Sequence, residues 1–223
     1  MIDNRFRQLL PRFVSPLLGL YRWLGWTPNH VTLAGFVIAL AASAAVAVEA
    51  NLWALGLWWL SRLADGTDGI YARESGQESA FGGYLDIVLD MAAYGAMVLG
   101  FAVARPELAA HWIVIIFLYV LCITSALALG MQEANLELEP RDDRSLRLGA
   151  GLAEGGETGL AYSVFLIWPS LMVYSATAWI VILLTTIIAR SLLAKRILTV
   201  VPATVATSQS NGSRPPRSDD SLT

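Results

Sequence analysis

Asp65-Gly66-Thr67-Asp68-Gly69-Ile70-Tyr71-Ala72-Arg73 and, eight residues later, Gly82-Gly83-Tyr84-Leu85-Asp86-Ile87-Val88-Leu89-Asp90 form the stretch on which the reading of this chain turns. Its four carboxylates stand inside or beside hydrophobic runs that otherwise exclude charge. Ionisable side chains at membrane depth are costly, and they mark cavities where they meet a functional partner. In a helix, residues three and four apart share a face. Asp65, Asp68 and Ala72 therefore lie together, as do Gly69 and Arg73, and Gly82, Asp86 and Asp90 make a second stripe. The short polar link at 74–80 predicts that the two helices are antiparallel neighbours whose stripes meet.

The surrounding chain reads as an all-α membrane protein. Hydrophobic residues make up 56% of the 223 and charged ones 15%. With a mean hydropathy of +0.55, that is more apolar than an ordinary soluble domain. The apolar residues fall in blocks long enough to cross a bilayer. Six spans are expected, at 31–48, from 52 into the acidic stretch, at 81–103, at 108–131, from about 158, and at 174–193. Residues 1–26 interleave Arg5, Arg7, Arg12 and Arg22 with aromatic and aliphatic residues and predict an interfacial segment, broken by Pro11 and Pro16. Residues 27–200 form the six-helix domain. The Ser-, Thr- and Pro-rich stretch at 201–223 reads as a disordered cytoplasmic tail.

Thr27 is placed to cap the first span, with Pro28 at its first helical position. At about 1.5 Å per residue, Asp65 sits roughly 20 Å along the second helix, near the far side of the bilayer. Of the Lys and Arg residues, only Arg105 falls in a loop on the opposite side, and Arg62 lies within a span. The excess of basic residues predicts that both termini and the acidic cluster face the cytoplasm, across an inner membrane spanned several times. With one cysteine and two histidines, a Cys/His zinc site is not available.

Four unpaired carboxylates this close would repel one another, and two divalent cations would cancel their formal charge. All-carboxylate ligation favours hard ions such as Mg²⁺, Mn²⁺ or Ca²⁺. Mg²⁺ works with substrate phosphates, and a pair of ions can clamp the attacking and leaving oxygens of a phosphoryl displacement. Gly69 and Gly82 leave room for a bulky group, and the planar fork of Arg73 suits phosphate.

The spacing D-x2-D-G-x2-A-R-x8-G-x3-D-x3-D resembles the signature of the CDP-alcohol phosphotransferase family at each of its eight fixed positions, spread over 26 residues. The Thr27-Pro28-Asn29 helix start followed by Thr32 also looks like the family's first span, and the resemblance extends over about residues 5–196. It implies an enzyme that transfers a substituted phosphate from a CDP-linked donor, CDP-diacylglycerol in many bacterial members, to an alcohol acceptor with release of CMP. Carried over position by position, it implies that Asp65, Asp68, Asp86 and Asp90 hold two metal ions, Mg²⁺ or Mn²⁺. Asp90 would also be the general base. Gly69 and Arg73 would contact the CDP moiety, with Ser79 at a position that often carries a small hydroxyl residue. Pro28, Asn29, His30 and Val31 would line the cytidine side. The resemblance further implies a homodimer in phospholipid biosynthesis; nucleic acid is not an expected partner.

The acceptor stays open. Glu154 and Glu157 enter a span beside glycines and could meet acceptor hydroxyls, or they could favour a helix N-terminus. Arg141, Arg144 and Arg147 read as a basic cytoplasmic loop that could also bind a phosphate. Members that make phosphatidylinositol phosphate tend to carry a basic run at the end of the fourth span, whereas residues 127–137 here are acidic. His111 and the tryptophans at 53, 58, 59, 112 and 179 read as interface anchors. Three other classes compete: transfer from a soluble CDP-alcohol to a lipid hydroxyl, an intramembrane prenyltransferase, and a divalent-cation transporter.

Overall fold

The computed structural model describes residues 14–135 and 155–200, and every regular element among them is helical. Helix α1 covers residues 14–23. It is followed by α2 (Pro28–Ala47), α3 (Asn51–Ser75), α4 (Ala80–Ala104), α5 (Ala109–Asn135), α6 (Gly155–Ile167) and α7 (Met172–Val200). Single 3-10 turns at Pro106–Leu108 and Pro169–Leu171 lead into α5 and α7. The tail at 201–223, the first residues of the interfacial segment, and Arg141, Arg144, Arg147 and Glu154 lie outside the described residues.

Local chemistry sets the helix ends. The Thr27 backbone N–H donates to His30 Nδ1 at 3.2 Å, so the first turn of α2 is closed by His30. Glu49 turns the chain between α2 and α3 with a positive φ of 58°. Gly76 stops α3 in the left-handed conformation (φ 64°). There, the N–H groups of Gly76 and Gln77 close onto the carbonyls of Arg73 and Ala72. Ser79 caps α4 by accepting from the Gly82 N–H at 3.0 Å.

The close neighbour of both α3 and α4 is α2; the two acidic helices do not pack extensively on each other. This differs from the arrangement expected from their short connection, and the reason lies in small residues along α2. A Cβ on Gly35 would stand 3.1 Å from the Ala64 Cβ, so α3 seats against backbone at that point. Ala39 and Ala42 are fully buried. On the other side, a Cβ on Gly100 of α4 would come within 2.5 Å of the Ser43 carbonyl oxygen. The Ser43 hydroxyl donates across to Ala96 O. Without a strong hydrophobic force between apolar helices in lipid, such close approach is what holds them together. With α2 filling one side, a gap remains between the polar ends of α3 and α4.

The second half packs differently. Helices α5 and α7 lie together, α6 rests on α3 and α7, and α4 contacts α5. Trp58, Tyr94, Phe101, Trp112, Tyr162 and Phe165 form a continuous aromatic core between the halves. The interface-anchor reading is therefore corrected for Trp58, Trp112 and Trp179, which are buried. The Trp112 indole N–H donates to Arg105 O at 3.1 Å and that of Trp179 to the Tyr119 hydroxyl at 2.9 Å. Trp53 is 77% exposed and fits an anchor. His111 pairs with the Thr177 hydroxyl at the end of the molecule remote from the aspartates.

Among the described residues, four helical stretches are long and apolar enough to cross a membrane: Pro28–Ala47, Ala80–Ala104, Pro106–Asn135 and Pro169–Thr199. Exposed Leu33, Val37, Leu40, Leu99, Phe117 and Ile188 belong to these helices, as a lipid-facing surface requires. The other two expected spans are the two that carry the most polarity or the least length. Helix α3 has 25 residues but holds Arg62 near its middle and Asp65, Asp68, Arg73 and Glu74 in its second half. Helix α6 has 13 residues, about 20 Å, less than the hydrocarbon thickness.

Helix α1 is amphipathic and docks on the polar end of α3. Val14, Leu18 and Tyr21 are buried with Val31, Ala64 and Tyr71, while Trp23 is exposed. The Tyr21 and Thr67 hydroxyls lie 3.0 Å apart, Tyr71 donates to Trp26 O at 2.8 Å, and Arg22 pairs with Glu74 at 2.9 Å. Pro16 is accommodated within the helix, near the start of its described residues.

Candidate active site

The gap between α3 and α4 contains two adjoining cavities that share Thr32. The outer one, about 180 Å³, is lined by Pro28, Asn29 and Thr32 of α2, by Asp68, Gly69, Ala72 and Arg73 of α3, and by Gly82 and Asp86 of α4, with Ser79 at its rim. The inner one, about 10 Å³, has roughly the room of one water. Asp65, Asp90 and Arg62 line it together with Thr32 and Gly35. The acidic stripes thus border two adjoining cavities, Asp68 and Asp86 at the outer one, Asp65 and Asp90 at the inner one.

Each carboxylate has a distinct setting. Asp68 is 5% exposed. One of its oxygens accepts from the Thr32 hydroxyl at 2.6 Å and the other from the Gly69 N–H at 2.6 Å. Asp90 accepts from Arg62 Nη1, and Asp65 lies 3.6 Å from the same nitrogen. Asp86 is partly exposed toward the outer cavity. Asp65 feels the negative charges of Asp90, Asp86 and Asp68, so the cluster is internally repulsive apart from Arg62.

The glycines keep the recess open. A Cβ on Gly69 would meet only the Arg73 guanidinium, at 3.5 Å, so the Arg73 fork lies over Gly69 along the cavity wall. A Cβ on Gly82 would crowd the Ser79 hydroxyl at 3.1 Å and the Asn29 side-chain oxygen at 3.2 Å. Of the residues anticipated for the nucleotide, Pro28, Asn29, Gly69, Arg73 and Ser79 line the outer cavity. His30 and Val31 do not: His30 caps α2, and Val31 is buried beside α1 and α3. Glu157 is exposed in the first turn of α6.

In donor chemistry the four carboxylates fit hard divalent ions. They do not form a closed cage. Among the described residues, no three Asp, Glu, His or Cys side chains stand within common reach of one ion. Arg62 and Thr32 are the site residues that pattern reading did not single out. For Arg62 the signal was present, a cation in an apolar run one turn before Asp65.

Comparison with known proteins agrees with this architecture. Residues 25–189 match the model of the CDP-alcohol phosphatidyltransferase family. The chain is 35% identical over 172 residues to the inner membrane protein YnjF of Escherichia coli (strain K12), covering 74% of this chain and 82% of that protein. It is 34% identical over 97 residues to the archaetidylinositol phosphate synthase of Methanothermobacter thermautotrophicus, covering 44% of this chain and 48% of that one. This chain therefore spans about half the length of that synthase. Among solved structures, the phosphatidylinositol phosphate synthase of Mycobacterium tuberculosis with CDP-DAG bound superposes with a TM-score of 0.60 at 21% identity, covering 82% of this chain and 94% of that one. The same synthase in complex with manganese and citrate gives 0.60 at 18% identity, covering 80% and 87%. On the extent of the family match and the signature that lines its recess, the chain belongs to the CDP-alcohol phosphatidyltransferases, membrane transferases of substituted phosphate groups.

Proposed function

We propose that this protein transfers a phosphatidyl group from CDP-diacylglycerol to an alcohol acceptor and releases CMP, in phospholipid biosynthesis. The observation that carries the reading is the pair of cavities: an outer one of about 180 Å³ lined by Asp68 and Asp86 lies beside an inner one lined by Asp65 and Asp90. The CDP moiety enters the outer cavity, with the Arg73 fork on its diphosphate and Gly69 and Gly82 leaving room for it. Pro28, Asn29 and Ser79 border the nucleotide. The lipid tails stay in hydrocarbon while the diphosphate reaches the acids.

Asp65, Asp68, Asp86 and Asp90 would hold two divalent ions, Mg²⁺ or Mn²⁺. Such ions neutralise the diphosphate and acidify the acceptor hydroxyl when bound. Asp90 takes the hydroxyl proton. The acceptor oxygen then bonds to the lipid-bearing phosphorus as the phosphorus–oxygen bond to CMP breaks. Thr32 holds Asp68 in place by donating to it. Phosphoryl transfer of this kind needs positioning and charge neutralisation more than covalent participation by the protein. The recess faces the cytoplasm, on the side of both termini, as the basic residues predict. Two copies assemble as a homodimer.

The test is CMP release by purified protein given CDP-diacylglycerol, Mg²⁺ or Mn²⁺, and a panel of alcohols. The panel holds glycerol 3-phosphate, inositol phosphate, serine, glycerol and choline. Metal-dependent release stimulated by one alcohol is expected and names the acceptor. Release only from a soluble CDP-alcohol in the presence of diacylglycerol would reverse the direction of transfer. Cation flux in proteoliposomes without CMP release from any donor would sink the enzymatic reading.

A further inference from the structure

Arg62 is used by no step of the chemistry above, yet its position is over-determined. Its side chain is 9% exposed. The guanidinium carbon lies 4.5 Å from the Trp58 ring centroid and 5.1 Å from that of Tyr94. Nη1 donates to Asp90 Oδ1 and, at 3.3 Å, to the Tyr94 hydroxyl, while Nη2 donates to Ser61 Oγ at 3.2 Å. Asp65 Oδ2 stands 3.6 Å from Nη1.

A buried guanidinium is expensive to desolvate, and the two aromatic faces offset only part of that cost. The balance comes from the inner carboxylates. Asp65 and Asp90 border a space with room for one water, so their repulsion is poorly screened by solvent. Arg62 is the cation placed between them. Two ring contacts on separate elements, Trp58 on α3 and Tyr94 on α4, fix it there in a way that a surface ion pair is not fixed.

We propose that Arg62 is a built-in counter-cation of the carboxylate cluster. It clamps Asp90 by one oxygen, holds the inner acids together before any ion arrives, and weakens the affinity of the cluster for divalent cations. Arg62 is thus a positioning residue for Asp90 and the element that sets how loosely the ions are held. The inference rests on the reading that the four aspartates take divalent ions.

Mn²⁺ binding by titration calorimetry and thermal unfolding, both on the detergent-purified full chain, test it without recourse to turnover. Arg62→Met and Arg62→Gln remove the charge, and Arg62→Lys keeps it. The neutral variants should bind Mn²⁺ about ten-fold more tightly. Their metal-free forms should melt lower than wild type, and added Mn²⁺ should raise their melting temperature by more. Arg62→Lys should return Mn²⁺ affinity to near the wild-type value. A neutral variant that folds only with Mn²⁺ supplied agrees with the proposal, because the ion then provides the missing charge; one that stays unfolded with Mn²⁺ present overturns it. Unchanged or weaker Mn²⁺ binding in both neutral variants also overturns the role of Arg62, leaving the metal site intact. Wild-type protein that binds no Mn²⁺ overturns the metal reading and this inference together.

Discussion

The outer and inner ends of the carboxylate recess are built on opposite principles. The outer end is roomy, at about 180 Å³, and is walled by glycines, backbone and the exposed Arg73 fork. The inner end has about 10 Å³ and is lined by Arg62, which is held against the adjacent Trp58 and Tyr94 rings. Space and mobile charge suit the recognition of a large anionic donor. Tight walls and a fixed partner suit the holding of one carboxylate in one orientation. In the proposed function the donor is bound at the outer end and the proton is taken at the inner one, by acids carried on the same two helices.

This division can be broken in graded steps. Removing divalent ions with EDTA should give the largest change, a loss of CMP release on the order of a thousand-fold or more, restored by Mg²⁺ or Mn²⁺. Activity that persists in EDTA would contradict the use of the acids as ligands. Gly100→Ala tests the scaffold instead. Its Cβ would sit 2.5 Å from the Ser43 carbonyl oxygen, so α4 must shift on α2. We expect destabilisation of about 1–3 kcal/mol by thermal unfolding in detergent, since overpacking at backbone cannot relax by a rotamer change. A smaller effect is predicted for Arg73→Ala, an increase of about ten-fold in the donor KM with little change in kcat, the size expected when one charge-assisted hydrogen bond is removed at an exposed position. Equal falls in kcat would move Arg73 from the donor site to the reacting centre. The mildest is Thr32→Val, which keeps shape but removes the 2.6 Å bond to Asp68. It should cost about two- to ten-fold in kcat/KM.

How much of this was legible in the sequence follows from what kind of signal each feature leaves. The acids and Arg73 were readable because charge is rare in apolar helices, so their spacing survives as a pattern that Gly69 and Gly82 complete. The helix start at Pro28 was readable from capping chemistry. The position of α2 between α3 and α4 was not. In a lipid environment both the buried and the exposed faces are apolar, so periodicity does not say which helix packs on which. The contacts that decide it are absences of side chain at Gly35 and Gly100, legible only once the partner helix is known. The same uniformity hid the burial of Trp58, Trp112 and Trp179, whose indoles resemble interface anchors until a core surrounds them. Arg62 was visible as an anomaly, but its ring partner Tyr94 lies 32 residues away in sequence.

The most direct test of the assignment is Asp90→Asn, with donor binding and CMP release measured on one preparation. The account predicts that CDP-diacylglycerol binding stays within about three-fold of wild type, while release of CMP falls about a thousand-fold, the middle of the range for loss of a general base. Wild-type turnover in this variant, or loss of donor binding in step with turnover, would contradict the separation of the outer cavity from the inner one.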